Sequence, residues 1–191
     1  MQLRDKESDD DALLVTARAL REATRDASAL FVVNGSAAVA HAVLADGVHL
    51  PGAGPSAHET LASRVARARK VLGDGAFIST AAHDDDQLRA AADAGATAAL
   101  VSPIFASPGK GPARGVAAIT SSRSLVDASR RAPALLVYAL GGVTPENAAS
   151  CYEAGADGVA VIRALYDALR DGESGVRAAV LALGATAPRL P

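Results

Sequence analysis

The sequence predicts a wound α/β fold with a parallel sheet, and three segments carry that prediction. They are "LADGVHL" (44–50), "DAGATAALV" (93–101) and "EAGADGVAVI" (153–162). Each is a helix end followed by a short apolar run, with a glycine at the joint. Glycine suits the left-handed position just past a helix. A continuous apolar run suits a strand buried on both faces of a parallel sheet. Repetition of this αβ joint is the mark of a wound α/β protein.

Taken in order, apolar runs place strands near 2–4, 30–34, 47–50, 76–81, 98–104, 134–140 and 158–162. Helical segments fall near 9–25, 36–45, 57–72, 84–94, 115–131, 145–154 and 173–183. Asp84, Asp85 and Asp86 put carboxylates at a helix N-terminus, where the dipole favours them. Thr144-Pro145-Glu146 offers an N-cap threonine before proline at the first helical position. No linker or low-complexity run interrupts residues 1–191, so a single domain is expected. Seven βα units fall one short of the eight in a closed (β/α)8 barrel, whose usual length is about 250 residues. The shortfall reads as an absent first βα unit; a seven-strand open sheet is the alternative.

Composition narrows the function. The chain has 191 residues, enough for one sizeable core, and half are hydrophobic with few aromatics. A net charge of −2 lacks the basic footprint of a nucleic-acid binder. The single cysteine, Cys151, rules out an intramolecular disulfide and a multi-cysteine zinc site, and reads as a packing residue. No run is long enough to span a membrane and no signal peptide opens the chain, so a cytoplasmic protein is expected.

In a barrel the chemistry sits on loops after the strand ends. Those loops hold Arg4 and Lys6, Asn34, His83, Ser107, Lys110 and Arg114, the pair Gly141-Gly142, and Ile162-Arg163. Two glycines at a strand end expose backbone N–H groups suited to phosphate; tight helix–strand packing would also explain them. Arg4 and Lys6 alternate on one strand face and can meet an anion, unless the terminus frays. "SPGKGPARG" is a basic loop that either clamps an anion or is simply solvated. His41 and His58 lie on helix surfaces, and His49 reads as a buried wall residue. His83 stands past a strand end, where an imidazole suits proton transfer near neutral pH.

These blocks, in order, resemble the thiamine-phosphate synthase/TenI family. The matching stretches are "QLRDKE", "FVVNG", "ADGVHLP", "AAH", "SPIFASPGKGPARG", "LGGVTPENA" and "AGADGVAVI". The resemblance spans nearly the whole chain and implies a TIM barrel whose "QLR" block closes the second strand. In the synthase branch it implies joining of a pyrimidine pyrophosphate to a thiazole phosphate, with magnesium on two aspartates. Those positions here are Gly35 and Gly54. The family's serine falls at Ala81, and its Pro-Thr-x-Thr-Lys loop reads Ala106-Ser107-Pro108-Gly109-Lys110. The TenI branch resembles the chain at these deviant places and has a histidine at the His83 position.

The resemblance therefore implies, first, a TenI-like thiazole tautomerase acting by metal-free proton transfer on a thiazole phosphate carboxylate. His83 would move the proton. Gly141, Gly142, Ile162 and Arg163 would hold the phosphate. Arg4, Lys6, Asn34, Ser107 and Lys110 would contact the anionic groups. No cofactor is expected, with magnesium only in the synthase alternative. A divergent thiamine-phosphate synthase and a non-catalytic phosphate-binding barrel are the alternatives. The expected partner is a small phosphorylated thiazole, with a homodimer left open.

Overall fold

A computed structural model describes residues 1–52, 59–109, 111–129 and 133–188. Its seven strands belong to one sheet in sequence order: β1 (Gln2–Leu3), β2 (Val32–Asn34), β3 (Gly47–Leu50), β4 (Phe77–Ala82), β5 (Ala98–Val101), β6 (Leu136–Leu140) and β7 (Gly158–Ala160). The alternation of strand and helix is of the TIM-barrel type, with seven strands. Two compact units are distinguished, Met1–Thr80 with Asp93–Ala98, and Ala81–Ala92 with Ala99–Pro191.

In the first unit, β1, β2, β3 and β4 pair in parallel. Helices α1 (Asp10–Asp26), α2 (Ala37–Ala42) and α3 (Leu61–Leu72) follow the first three strands. Each helix starts on a side-chain cap: Asp9 accepts from the Ala12 N–H, Ser36 from Val39 and Thr60 from Ser63. Leu3, Phe31 and Val33 pack with Leu13, Ala17 and Val39. Val48, Leu50 and Ile78 pack with Val65 and Ala68. Side chains alternate along a strand, so Asn34, His49 and Ser79 lie on the face opposite to that packing.

The second unit holds most of β5, then α4 (Asp85–Asp93), α5 (Ala117–Ser129), β6, α6 (Ala148–Glu153), β7, α7 (Arg163–Ala168), a 3₁₀ turn (Leu169–Asp171) and α8 (Gly172–Gly184). The aspartate start of α4 is as expected: the Asp84 carboxylate accepts from the Gln87 N–H at 2.8 Å. Buried Val137 and Ala139 alternate with half-buried neighbours in β6, and Cys151 is fully buried as a packing residue.

A fastener recurs at each of the three repeated segments. The Asp46 N–H donates to the Phe31 carbonyl at 2.8 Å while its carboxylate accepts the Phe31 N–H at 2.7 Å. Asp157 does the same with Val137, at 2.9 and 2.7 Å. In "DAGATAALV" the residue is Thr97, whose N–H donates to Ile78 and whose hydroxyl accepts the Ile78 N–H at 3.1 Å. An arginine from an odd-numbered helix completes each joint. Arg21 pairs with Asp46 at 2.7 Å and Arg123 with Asp157 at 3.1 Å, while Arg69 donates to the carbonyls of Gly95 and Ala76. Burial opposes ionisation of Asp46, but the Phe31 N–H and the Arg21 guanidinium together hold its carboxyl below the usual range. Gly47 is demanded by closeness: a Cβ there would stand 1.8 Å from the Phe77 carbonyl oxygen.

Some expected boundaries shift. The first strand ends at Leu3, so Arg4 and Lys6 lie in the following loop, where the strand alternation invoked for them no longer applies. The fifth strand stops at Val101, before Pro103, which has no N–H for a ladder. The last strand stops at Ala160, and Arg163 opens α7, a helix not expected from sequence. α6 begins at Ala148, and Thr144 is not its side-chain cap; the Thr144 N–H instead donates to the Asn147 side chain at 2.8 Å. The expected start of the third helix near 57 falls partly outside the described residues.

Asp46→Ala strips the acceptor from the buried Phe31 N–H and is expected to cost about 2 kcal/mol. Asp46→Thr, which copies the Thr97 joint, should cost distinctly less. Urea titrations of the two variants check this; equal losses would deny the hydroxyl its role.

Candidate active site

In the second unit, His83 directly follows β4. Its N–H donates to the Gln87 side-chain oxygen at 3.0 Å, and Gln87 in turn donates to Asp84 at 2.8 Å. The ring Nδ1 lies 3.0 Å from the Ser102 carbonyl oxygen and 3.2 Å from the Ser102 hydroxyl. A carbonyl oxygen only accepts, so Nδ1 carries the proton in the neutral ring. Nε2 then keeps its lone pair, on a residue exposed to solvent. That is the tautomer a general base needs.

The loop after β5 folds back on itself, because the N–H groups of Arg114 and Gly115 donate to the carbonyls of Pro103 and Ile104. Arg114 also reaches the Asp85 carboxylate at 3.4 Å. Ser107 lies half-buried in this loop, and Lys110 falls outside the described residues. Gly141 and Gly142 close the end of β6 against the same loop. Both have positive φ, +93° and +66°. A Cβ on Gly141 would lie 2.9 Å from the Pro103 Cα, and one on Gly142 would lie 2.6 Å from the Ala106 carbonyl oxygen. The pair thus has a packing reason of its own. The Gly142 carbonyl is fixed by the Asn147 amide at 3.0 Å. Ile162 and Arg163, at the start of α7, are both exposed.

In the first unit, Asn34, His49 and Ser79 are register partners on β2, β3 and β4. Arg4 follows Leu3, whose partner Val33 precedes Asn34. A polar row therefore crosses β2, β3 and β4 on the face turned away from the helix-side packing, with Arg4 in the loop just past β1. His49 is 7% exposed and its Nδ1 lies 2.9 Å from the Ser79 hydroxyl. Burial first, then the positive charges of Arg4 and Arg64, lower its pKa to about 4. Sequence reading placed His49 in the wall but missed its partners. The available signal was that each of Asn34, His49 and Ser79 is a polar residue directly after an apolar one (Val33, Val48, Ile78) in its strand. Arg4 and Lys6 are exposed, flanking an Asp5 turn in which the carboxylate accepts from Glu7 and Ser8.

Two glycines stand where the synthase resemblance puts magnesium ligands. Gly35 has φ +86° and supplies no carboxylate, and Gly54 lies outside the described residues. Magnesium wants hard oxygen donors, and among the described residues no group of three or more His, Cys, Asp or Glu could hold a metal. The described residues do not fit the ion. Among them, too, no helix is long and apolar enough to cross a membrane.

As pH falls from 6.5 toward 4, the unfolded chain protonates His49 while the folded one does not, so this residue removes stability through that window. Wild type should lose stability there relative to His49→Gln, read as the difference between their denaturation midpoints at each pH. Parallel curves would show that His49 titrates normally.

Residues 1–165 match the family described as thiamine monophosphate synthase. The thiamine-phosphate synthase of Moorella thermoacetica is 39% identical over 168 residues, covering 88% of this chain and 74% of that protein. The one from Methanoculleus marisnigri is 40% identical over 186 residues, covering 96% and 79%. Among solved structures, a thiamine phosphate pyrophosphorylase from Pyrococcus furiosus superposes with TM-score 0.75 at 25% identity, covering 97% of this chain and 80% of that one. The chain belongs to the thiamine monophosphate synthase family.

Proposed function

We propose that this chain acts in thiamine biosynthesis on a phosphorylated thiazole, and that its reaction is the coupling named for its relatives. Two thiamine-phosphate synthases at 39% and 40% identity carry this reading over the tautomerase expected from sequence. In the coupling, the bond from the pyrimidine methylene carbon to pyrophosphate breaks, and pyrophosphate leaves with the electron pair. The thiazole nitrogen supplies the pair for the new carbon–nitrogen bond. No step is assigned to magnesium, since the described residues do not fit it.

The chain's own groups have definite work in this reading. Arg4 and Lys6 offset charge on the phosphorylated ligand. Asn34 presents an amide beside His49, whose imidazole stays neutral near pH 7 and so adds no charge to the row. Backbone at Gly141 and Gly142 holds phosphate where side chains cannot fit. In the second unit, Ser107, Lys110, Ile162 and Arg163 are proposed as contacts of a phosphorylated ligand.

A second reading is favoured by one observation. The Ser102 carbonyl fixes His83 with Nε2 unprotonated, in a sequence that has Gly35 and Gly54 where the synthase branch has aspartates. That arrangement supports proton removal from a thiazole phosphate carboxylate, followed by return of the proton elsewhere on the ring, which is tautomerisation.

Incubation of the protein with the pyrimidine pyrophosphate and thiazole phosphate, with and without magnesium, is expected to release pyrophosphate and form thiamine phosphate. No release, together with aromatisation of the thiazole carboxylate, would replace the first reading by the second. In that case His83→Ala should slow aromatisation by about a hundredfold or more.

A further inference from the structure

A groove of about 280 Å³ lies on the first unit, on the helix side of β3, lined among others by Gly35, Ser36, Leu50, Arg64, Arg67 and Val71. Its distinctive member is Arg64, a residue only 5% exposed in the first turn of α3. A guanidinium that deep is normally held by a carboxylate, because burying a charge without a partner is costly. Here the carboxylate at hand, Glu59, is bound by Arg67. Arg64 donates instead to the Pro51 carbonyl at 2.7 Å, through one of its terminal nitrogens. Five N–H donors are present on a guanidinium, and no other acceptor among the described residues is taken by Arg64. Burial pushes its pKa down, with Glu59 opposing and Arg67 adding to the fall. The groove therefore carries two cations against one anion, with apolar walls and with Arg64 donors that take no acceptor among the described residues.

We infer that this groove is an oxyanion site, with no lining residue from the loops that hold His83 and Gly142, and that it takes the phosphate or diphosphate group of a small molecule. Two planar forks offer more donors than the two oxygens of a carboxylate can accept; a phosphate group meets them with three terminal oxygens. Leu50 and Val71 give the remainder of the ligand an apolar wall. The anion stands beside Gly35, where the synthase resemblance expects an aspartate and magnesium.

The test is titration of the full chain with inorganic phosphate at constant ionic strength, followed by the backbone amide signals of Gly35, Ser36 and Ala68. Saturable shifts are expected, absent with chloride. Arg67→Gln should weaken them about tenfold; its side chain is 60% exposed, so the fold survives its loss. Arg64→Met should abolish them. Inorganic pyrophosphate saturating at lower concentration would mark the ligand as a diphosphate, and phosphate at lower concentration as a monoester. Unsaturable shifts, or equal affinity in Arg67→Gln, would overturn the site. The Gly142 amide is followed in the same spectra. A response there with none in the groove would sink this inference and leave the proposed reaction standing.

Discussion

The Asp46 carboxylate takes the N–H of Phe31 while the Asp46 N–H returns to the Phe31 carbonyl, and Arg21 braces the carboxylate from behind. Phe31 is fully buried, and a buried N–H must find an acceptor. A two-point contact between neighbouring strands leaves only one register. With Val33 opposite Val48, Asn34 must fall opposite His49, and the next ladder carries His49 to Ser79. A slip by one residue would send the polar row into the helix-facing core and bring Val33 and Val48 out of it. The placement of polar groups on these strands thus depends on an interaction at their opposite ends.

His49 and His83 are used differently. His49 is buried beside positive charge, and both influences favour the neutral ring. It serves as a fixed polar group with one nitrogen held by a hydroxyl. His83 is exposed, and a carbonyl oxygen decides its tautomer. Only the second arrangement leaves a solvent-accessible lone pair on a ring of settled orientation. The same side chain is a wall element on one strand and a candidate base on the next because their partners differ in what they can accept.

Much of the fold was legible in the sequence, because the αβ joints repeat and their glycines and apolar runs follow local rules. The strand order followed from that repetition. What escaped were features set by contacts distant along the chain. α7 was missed because "RALYDA" has no cap or breaker to announce it. The Thr144 start was misread because Asn147, three residues on, takes its N–H. The glycine pair was read as a phosphate feature with tight packing as the alternative, but the partners of that packing, Pro103 and Ala106, could not be read from sequence. His83 was legible as a loop imidazole, while its tautomer came only with Ser102, nineteen positions away. The burial of Arg64 had no sequence signal, since the same charge spacing on α3 fits a solvated face.

The three fasteners fall on alternate βα units, with arginines drawn from α1, α3 and α5. Their spacing makes a βαβα pair the natural module of the chain. Each joint ties one pair of strands, β2 to β3, β4 to β5 or β6 to β7, while β3 and β4 are held by their ladder and by the Phe77 N–H on the Asp46 carbonyl. The side-chain joints at Asp46, Thr97 and Asp157 should then be the slow points of amide exchange, with the strands between them opening first.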